Sequence, residues 1–376
     1  MRVCISVNDS AQVHFWKNVI KGLQSDGHQV FVCARDFGES SALLREMNIP
    51  FFPAIGDPGY GVRRYLSMPI QVASMYRHLR DKGIDVIAGF GIFNTFAGLL
   101  LRRPDITFID AEPGVYTPLY KYSFLLSILF VDALVTPSCL KEQLGRKHIR
   151  VDSYKELAYL HPNHFQPNED IYDLLGIPRG TDYAILRFNS FEAGHDIGVW
   201  GFSPEERIRL VRELEKHARV FISTEGKIPD EIKANIIDIP RYRIHDALYY
   251  AKLMVTDSST MGIEAAVLGT PVVRASSFVK NDFGLMLELG KTYDILLSYL
   301  DTGEAIDKAV ELIRRPDVKQ EWAAKRERLL KDKIDMAAYM VWFIENYPRI
   351  DREAKKNPEI FDTLKRQPAG HPVKGA

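Results

Sequence analysis

Thr256 to Arg274 reads TDSSTMGIEAAVLGTPVVR: small hydroxyl residues, then a single acid, Glu264, inside a helical pattern. An apolar run, LMV, precedes it, and another, PVV, lies near its end. A strand, a hydroxyl-lined turn and a helix, in that order, make an anion site. The first-turn N–H groups of a helix lack internal acceptors and carry partial positive charge. Hydroxyls at Ser258, Ser259 and Thr260 can add donors there. Glu264, about one turn in, could accept hydrogen bonds from a vicinal diol such as ribose. The combination suits a nucleoside diphosphate. A helix merely capped by Ser258 or Ser259, with Glu264 as a solvated acid favouring the dipole, would carry the same letters.

Other groups could share the work. RFNSFEAGHD would bring Arg187, His195 and Asp196 to the carboxyl end of a strand, where an arginine could neutralise a leaving diphosphate. A surface ion pair is the plainer alternative. STEGKIP places Glu225, Gly226 and Lys227 in a loop that could meet base or phosphate, or simply face solvent. FIDAEPG sets Asp110 and Glu112 just past a strand, where an acid can act as general base. Extended backbone would point the two to opposite sides, so one of them reaches a substrate. VNDSAQVHF offers Asp9, Ser10 and His14 to an acceptor, although a histidine at the start of an amphipathic helix is often structural. No DxD lies in a sugar-binding loop, and HExxH, Walker A and GxGxxG patterns are absent, so no tightly bound metal is expected.

The elements that must hold these groups alternate. Short apolar strands at RVCISV, QVFVCAR, PFFPAI, IDVIAGF and ITFIDA are separated by helical patterns, which argues for a parallel sheet covered on both faces. The alternation lapses between Tyr159 and Gly180, where prolines and turn formers mark a linker. It restarts with DYAILRF, a helix from Ser203, RVFISTEG, a short helix IHDALYYAKL, LMVTD and TPVVRA. Helices then run to about Tyr347. The expected domains are 1–165, 166–347 and a poorly ordered tail, 348–376. Two α/β halves would enclose a cleft at the carboxyl ends of their strands, where ligands of open parallel sheets bind.

Bulk properties agree. The 376 residues suggest two cores. Lysine plus arginine equals aspartate plus glutamate at 49 each, so no general affinity for nucleic acid is implied. Three scattered cysteines fit a reducing, cytoplasmic setting. YSFLLSILFV, Tyr122 to Val131, is about half a membrane span. It reads as a buried or surface-docking helix and permits a lipid-linked acceptor and transient contact with the inner face of a membrane.

The opening stretch resembles the nucleotide-binding segment of GT-B-fold sugar enzymes. The non-hydrolysing UDP-N-acetylglucosamine 2-epimerases carry a similar SDSGG…EA…G.PV…R pattern. The chain as a whole, to about Tyr347, resembles domain-of-unknown-function family 354, through VHFWKNVIKGLQSDGHQVFVCARD, YKELAYLHPNHFQP, ILRFNSFEAGHD and the opening stretch. The resemblance implies a GT-B-like α/β fold with two Rossmann-like domains, and a family without an assigned reaction. It also implies that Ser258 and Ser259 hold the diphosphate, Glu264 binds ribose, and His245 flanks base and sugar. The epimerases have glycines where Ser259 and Thr260 stand. Their acid-bearing GD loop is replaced here by Ile92, Phe93 and Asn94, which counts against epimerisation. The expected activity is therefore metal-independent glycosyl transfer from a nucleotide sugar, UDP-linked in the first instance, with Glu112, Asp110 or His14 as base. A 2-epimerase and a non-catalytic binding protein of the same fold are the rivals.

Overall fold

The computed structural model describes residues 1–36, 40–56, 67–110, 112, 118–189, 200–224, 226–282, 284–357 and 364. The chain divides into two compact units, Met1–His164 with Lys333–Ala376, and Phe165–Asp332.

The first unit is built on a seven-stranded sheet, ordered β3-β2-β1-β4-β5-β6-β7 and parallel throughout. Its strands are β1 (Arg2–Val7), β2 (Gln29–Asp36), β3 (Phe52–Gly56), β4 (Val86–Gly89), β5 (Asp105–Phe108), β6 (Ala133–Pro137) and β7 (His148–Val151). Central strands buried on both faces need continuous apolar runs, and β1 and β4 supply them with VCISV and VIAG. The helix Ser10–Ser25 starts where Asp9 accepts from the Gln12 N–H. Its Phe15 and Trp16 pack with Phe90 and Phe108 at centroid distances of 4.7–6.2 Å.

The last long helix, Met336–Ala354, belongs to this first unit. The sequence reading placed residues up to 347 in the second half, so this is a correction. The physical reason is a close fit onto the helix Ser10–Ser25: a side chain at Gly22 would meet Val341 Cγ2 at 2.8 Å. His28, in the turn after that helix, places Nε2 2.8 Å from Glu345 Oε1. Asp335 caps the helix and also holds His164 at 2.8 Å and Asn163 at 3.0 Å. Residues 348–354, assigned to the tail, are helical. Most of the remaining tail lies outside the described residues.

The second unit has a five-stranded parallel sheet, β12-β11-β10-β8-β9. Its strands are β8 (Tyr183–Phe188), β9 (Arg219–Thr224), β10 (Leu253–Thr256), β11 (Val272–Ala275) and β12 (Leu296–Tyr299). The helix Pro204–Glu215 opens with the expected box, in which Ser203 and Glu206 bond each other's backbone N–H. Strands β6, β7 and β12 were not foreseen. LFVDALVTP merges a helix end with a strand, while HIRV and LLSY are short edge strands with no clear alternation.

Candidate functional site

In each sheet the strand order reverses once, and ligands of open α/β sheets bind at that point. In the second unit it falls between β8 and β10. The loops leaving these strands are tied together: Asp257 Oδ1 accepts from the Asn189 N–H at 2.7 Å. Asp257 is fully buried, and its Oδ2 stands 3.9 Å from Arg207 NH2. Burial pushes its carboxyl up to about 6, against the pull of Asn189 N–H, Arg207 and Arg187. The backbone of Gly201 lies against this carboxylate, where a Cβ would come within 2.5 Å of Oδ2.

The helix Ser259–Val267 begins two residues after Asp257. Ser258 sits at its N-cap with extended backbone, yet its hydroxyl makes no capping bond. Instead the Ser258 N–H donates to Thr256 Oγ1 at 2.8 Å. Ser259 Oγ accepts from Arg274 NH1 at 3.1 Å, and Arg274 NH2 donates to Asp282 Oδ1. The alternative in which these serines merely cap the helix is therefore not what the side chains do. Strand register explains the arrangement: Ser298, Arg274, Thr256, Arg187 and Ser223 fall in one row across the five strands. Arg274, 1% exposed, brings a positive charge under the helix N-terminus. Thr260, on the first turn, is half-buried.

Glu264 is not the solvated acid of the plainer reading; it is 5% exposed. His245, on the helix Ile244–Tyr250, places Nε2 3.3 Å from Glu264 Oε1. Phe165 stands edge-on to the imidazole at 6.4 Å. Two residues 19 positions apart in sequence thus meet beside the helix that follows β10.

Arg187 donates to Ser223 Oγ at 3.0 Å, a contact across the sheet to the neighbouring strand β9. Gly226 N–H donates to Thr224 Oγ1, which keeps its loop folded back on β9. Lys227 has an exposed side chain, while its carbonyl accepts from Arg207. His195, Asp196 and Glu225 lie outside the described residues.

In the first unit, β1 and β4 flank the reversal. Asp110 does not stand open as a base: Lys155 Nζ lies 2.5 Å from its Oδ2. Lys155 also lies 3.6 Å from Glu156 Oε1. Burial alone would lower the Lys155 pKa, but Asp110, Glu156 and Asp9 outweigh it and hold the ammonium above its ordinary value. Glu112 is buried and accepts from the Lys141 N–H at 3.5 Å. His14 is buried beside Tyr159, ring centroids 5.4 Å apart. Asn94 is fully buried, donating to Asp105 and Thr107 and accepting from the Gly91 N–H. Asp257, Arg207, Arg274, Lys155 and Glu156 were assigned no role from sequence. The one available signal was charge inside apolar runs, as in PVVRA and YKELAYL.

Among the described residues, no three His, Cys, Asp or Glu side chains converge as a metal site. No helix among them is long and apolar enough to cross a membrane.

No family model and no curated protein matches this chain. Solved structures do. The UDP-N-acetylglucosamine 2-epimerase of Neisseria meningitidis, bound to UDP-N-acetylglucosamine, aligns with a TM-score of 0.63 at 14% identity, over 92% of this chain and 100% of that one. Staphylococcus aureus MnaA, solved with UDP, gives 0.64 at 11%, over 93% and 98%. The glycosyltransferase VinC, in complex with dTDP, gives 0.60 at 11%, over 94% and 100%. At such identities the likeness is one of fold. The chain has a GT-B-like α/β fold with two parallel-sheet units.

Proposed function

We propose that this chain transfers a glycosyl group from a nucleotide-activated sugar, without a metal ion, to an acceptor bound by the first unit. One observation carries the reading. The buried Glu264–His245 pair stands next to a helix N-terminus where Arg274 engages the Ser259 hydroxyl. The pieces match the parts of a nucleoside diphosphate: helix N–H groups, Ser258, Ser259 and Thr260 for the phosphates, Glu264 for the ribose diol. Arg187 and Lys227 would offset the charge of the departing diphosphate, a preorganised electrostatic role. UDP is the first choice of base, because two structural neighbours were solved with UDP or a UDP-sugar.

On the acceptor side Glu112 and His14 are the better candidates for base. Asp110 has one oxygen occupied by the Lys155 ammonium. A 2-epimerase is the second reading, favoured by the fold shared with the Neisseria meningitidis enzyme. Against it stands Asn94, at the start of the helix Phe93–Leu101, where Ile92, Phe93 and Asn94 replace the epimerases' acid-bearing segment and the Asn94 amide is committed to Asp105 and Thr107.

The test is a thermal-shift series with UDP-, GDP-, ADP- and CMP-sugars, followed by product analysis with the best binder alone. A ligand that binds only the folded state raises the melting midpoint. Glycosyl transfer predicts a shift with at least one donor and no epimer. Epimer accumulating without an acceptor would establish the rival. No shift with any of the four would remove the nucleotide site altogether.

A further inference from the structure

The apolar segment after FIDAEPG has two faces. Phe124 and Val131 point inward, packed with Ile109, Leu134 and Leu144. Tyr122, Leu125, Leu126 and Leu129 point outward, 69, 37, 55 and 73% exposed. They recur at i, i+3, i+4 and i+7, the spacing of one helical stripe. The segment from Tyr122 to Val131 thus carries apolar side chains on two faces, one packed into its own unit and one exposed.

A second helix extends the stripe. On Phe93–Leu101, Leu99 and Leu100 are 51 and 53% exposed. The two segments are joined by the Phe96–Phe130 ring contact, 5.9 Å between centroids, and by Phe124 against the Gly91 backbone. A soluble surface scatters single apolar residues; a contiguous group of this kind marks an interface.

Charge decides between occupants. Between Phe93 and Arg103, and between Pro118 and Val131, there is no aspartate or glutamate. Arg102 and Arg103 follow Leu101 and are exposed, and Lys121 precedes Tyr122. The nearest acid in sequence, Asp132, is 3.5 Å from Lys147 Nζ. An apolar stripe flanked by Arg102, Arg103 and Lys121, with Asp132 offset by Lys147, complements an anionic lipid surface. Pairing of two copies through this face would instead bring two basic rims onto one interface.

We infer that this face of the first unit docks in the plane of an anionic membrane, with Tyr122, Leu125, Leu126, Leu129, Leu99 and Leu100 entering the headgroup layer. Arg102, Arg103 and Lys121 meet the lipid phosphates. The surface stands independently of the proposed glycosyl transfer. Should that reading hold, the acceptor would be one presented at a membrane.

Co-sedimentation of the full chain with vesicles tests it. Vesicles of phosphatidylcholine with phosphatidylglycerol should bind the chain at low salt, and pure phosphatidylcholine far less. Leu126→Glu with Leu129→Glu should weaken binding more than about ten-fold, since each leucine withdraws a substantial apolar area from water. Arg102→Glu with Arg103→Glu should abolish the preference for phosphatidylglycerol, each basic residue being worth roughly five-fold on an anionic leaflet. Ile236→Glu, an exposed apolar position in the second unit, should bind like the parent. The proposal is overturned if the parent chain stays with the supernatant on both vesicles, or if the leucine pair can be replaced without effect. It is equally overturned if sedimentation velocity shows a dimer that the leucine replacements dissociate. None of these readouts depends on turnover.

Discussion

His245 Nε2 lies 3.3 Å from Glu264 Oε1, with both side chains almost wholly buried. The imidazole fixes the direction of a carboxylate that a diol would otherwise have to orient on binding. A hydrogen bond to a charged group is worth about 1.5–3 kcal/mol. Glu264→Gln should therefore weaken a UDP-sugar by about ten- to a hundred-fold. His245→Ala should weaken it by less, because the carboxylate remains. Isothermal calorimetry gives both values, and unchanged affinity in Glu264→Gln would take Glu264 out of the site.

Arg274 makes a different kind of claim. It is buried, and it joins Ser259 to Asp282. Removing one member of a buried ion pair leaves the other uncompensated, at about 3–5 kcal/mol. Arg274→Met should lower the melting midpoint markedly, and adding Asp282→Asn should restore part of the loss. Arg274→Lys should not rescue the parent, since an ammonium cannot reach two separate acceptors as a guanidinium fork does. Thermal denaturation of these three variants and of Asp282→Asn alone measures the coupling. Strict additivity would mean that the two side chains do not support each other.

Stability should depend on pH through Asp257. Its carboxyl is held up at about 6, against an ordinary 3.8, by burial. Between these values the folded chain keeps a proton that the unfolded chain has released. The contribution is therefore present below about pH 4 and is lost as pH rises towards about 6. It amounts to about 3 kcal/mol at most. Asp257→Asn retains an oxygen to accept from the Asn189 N–H and has no proton to lose. Its melting midpoint should gain on that of the parent as pH climbs from 4.5 to 7. Asp105, also raised to about 6 by burial, should keep a similar slope in that variant. Parallel curves for parent and variant would show that Asp257 is not titrating in this range.

The features legible in the sequence were those written in local pattern. Strands β1, β4, β8 and β10 announce themselves as apolar runs, and Ser203 announces its helix by the acid three residues on. Ser258, Ser259 and Glu264 were visible because a strand, a turn and a helix follow one another without interruption. What was illegible depends on distance along the chain. The helix Met336–Ala354 has an apolar face that says it must pack, but only Gly22 and Val341 decide where. The Asp257–Asn189 tie joins loops 68 residues apart. Lys155 was quoted within a motif, yet nothing local says that it will meet Asp110, 45 residues earlier. That contact changed the standing of Asp110, which spacing alone had left level with Glu112.

The same contact yields the last prediction. A general base must be within reach of the proton it takes, with an oxygen available to take it. Asp110 Oδ2 is held by the Lys155 ammonium at 2.5 Å, a charged partner that competes with any substrate proton. Asp110 is built as the counter-charge of a buried lysine. If glycosyl transfer is the reaction, Glu112→Gln should lower turnover by roughly a hundred-fold or more, the usual worth of general base catalysis, with donor affinity unchanged. Asp110→Asn should act through the fold: a lower melting midpoint, and turnover that falls only as far as folded protein is lost. Lys155→Met should cost more stability than Asp110→Asn, because it removes the cation that Asp110 and buried Glu156 share. Steady-state rates at saturating donor, set beside melting curves, separate these outcomes. If Asp110→Asn abolished turnover in a chain as stable as the parent, the base would be Asp110 and the ion pair its resting state.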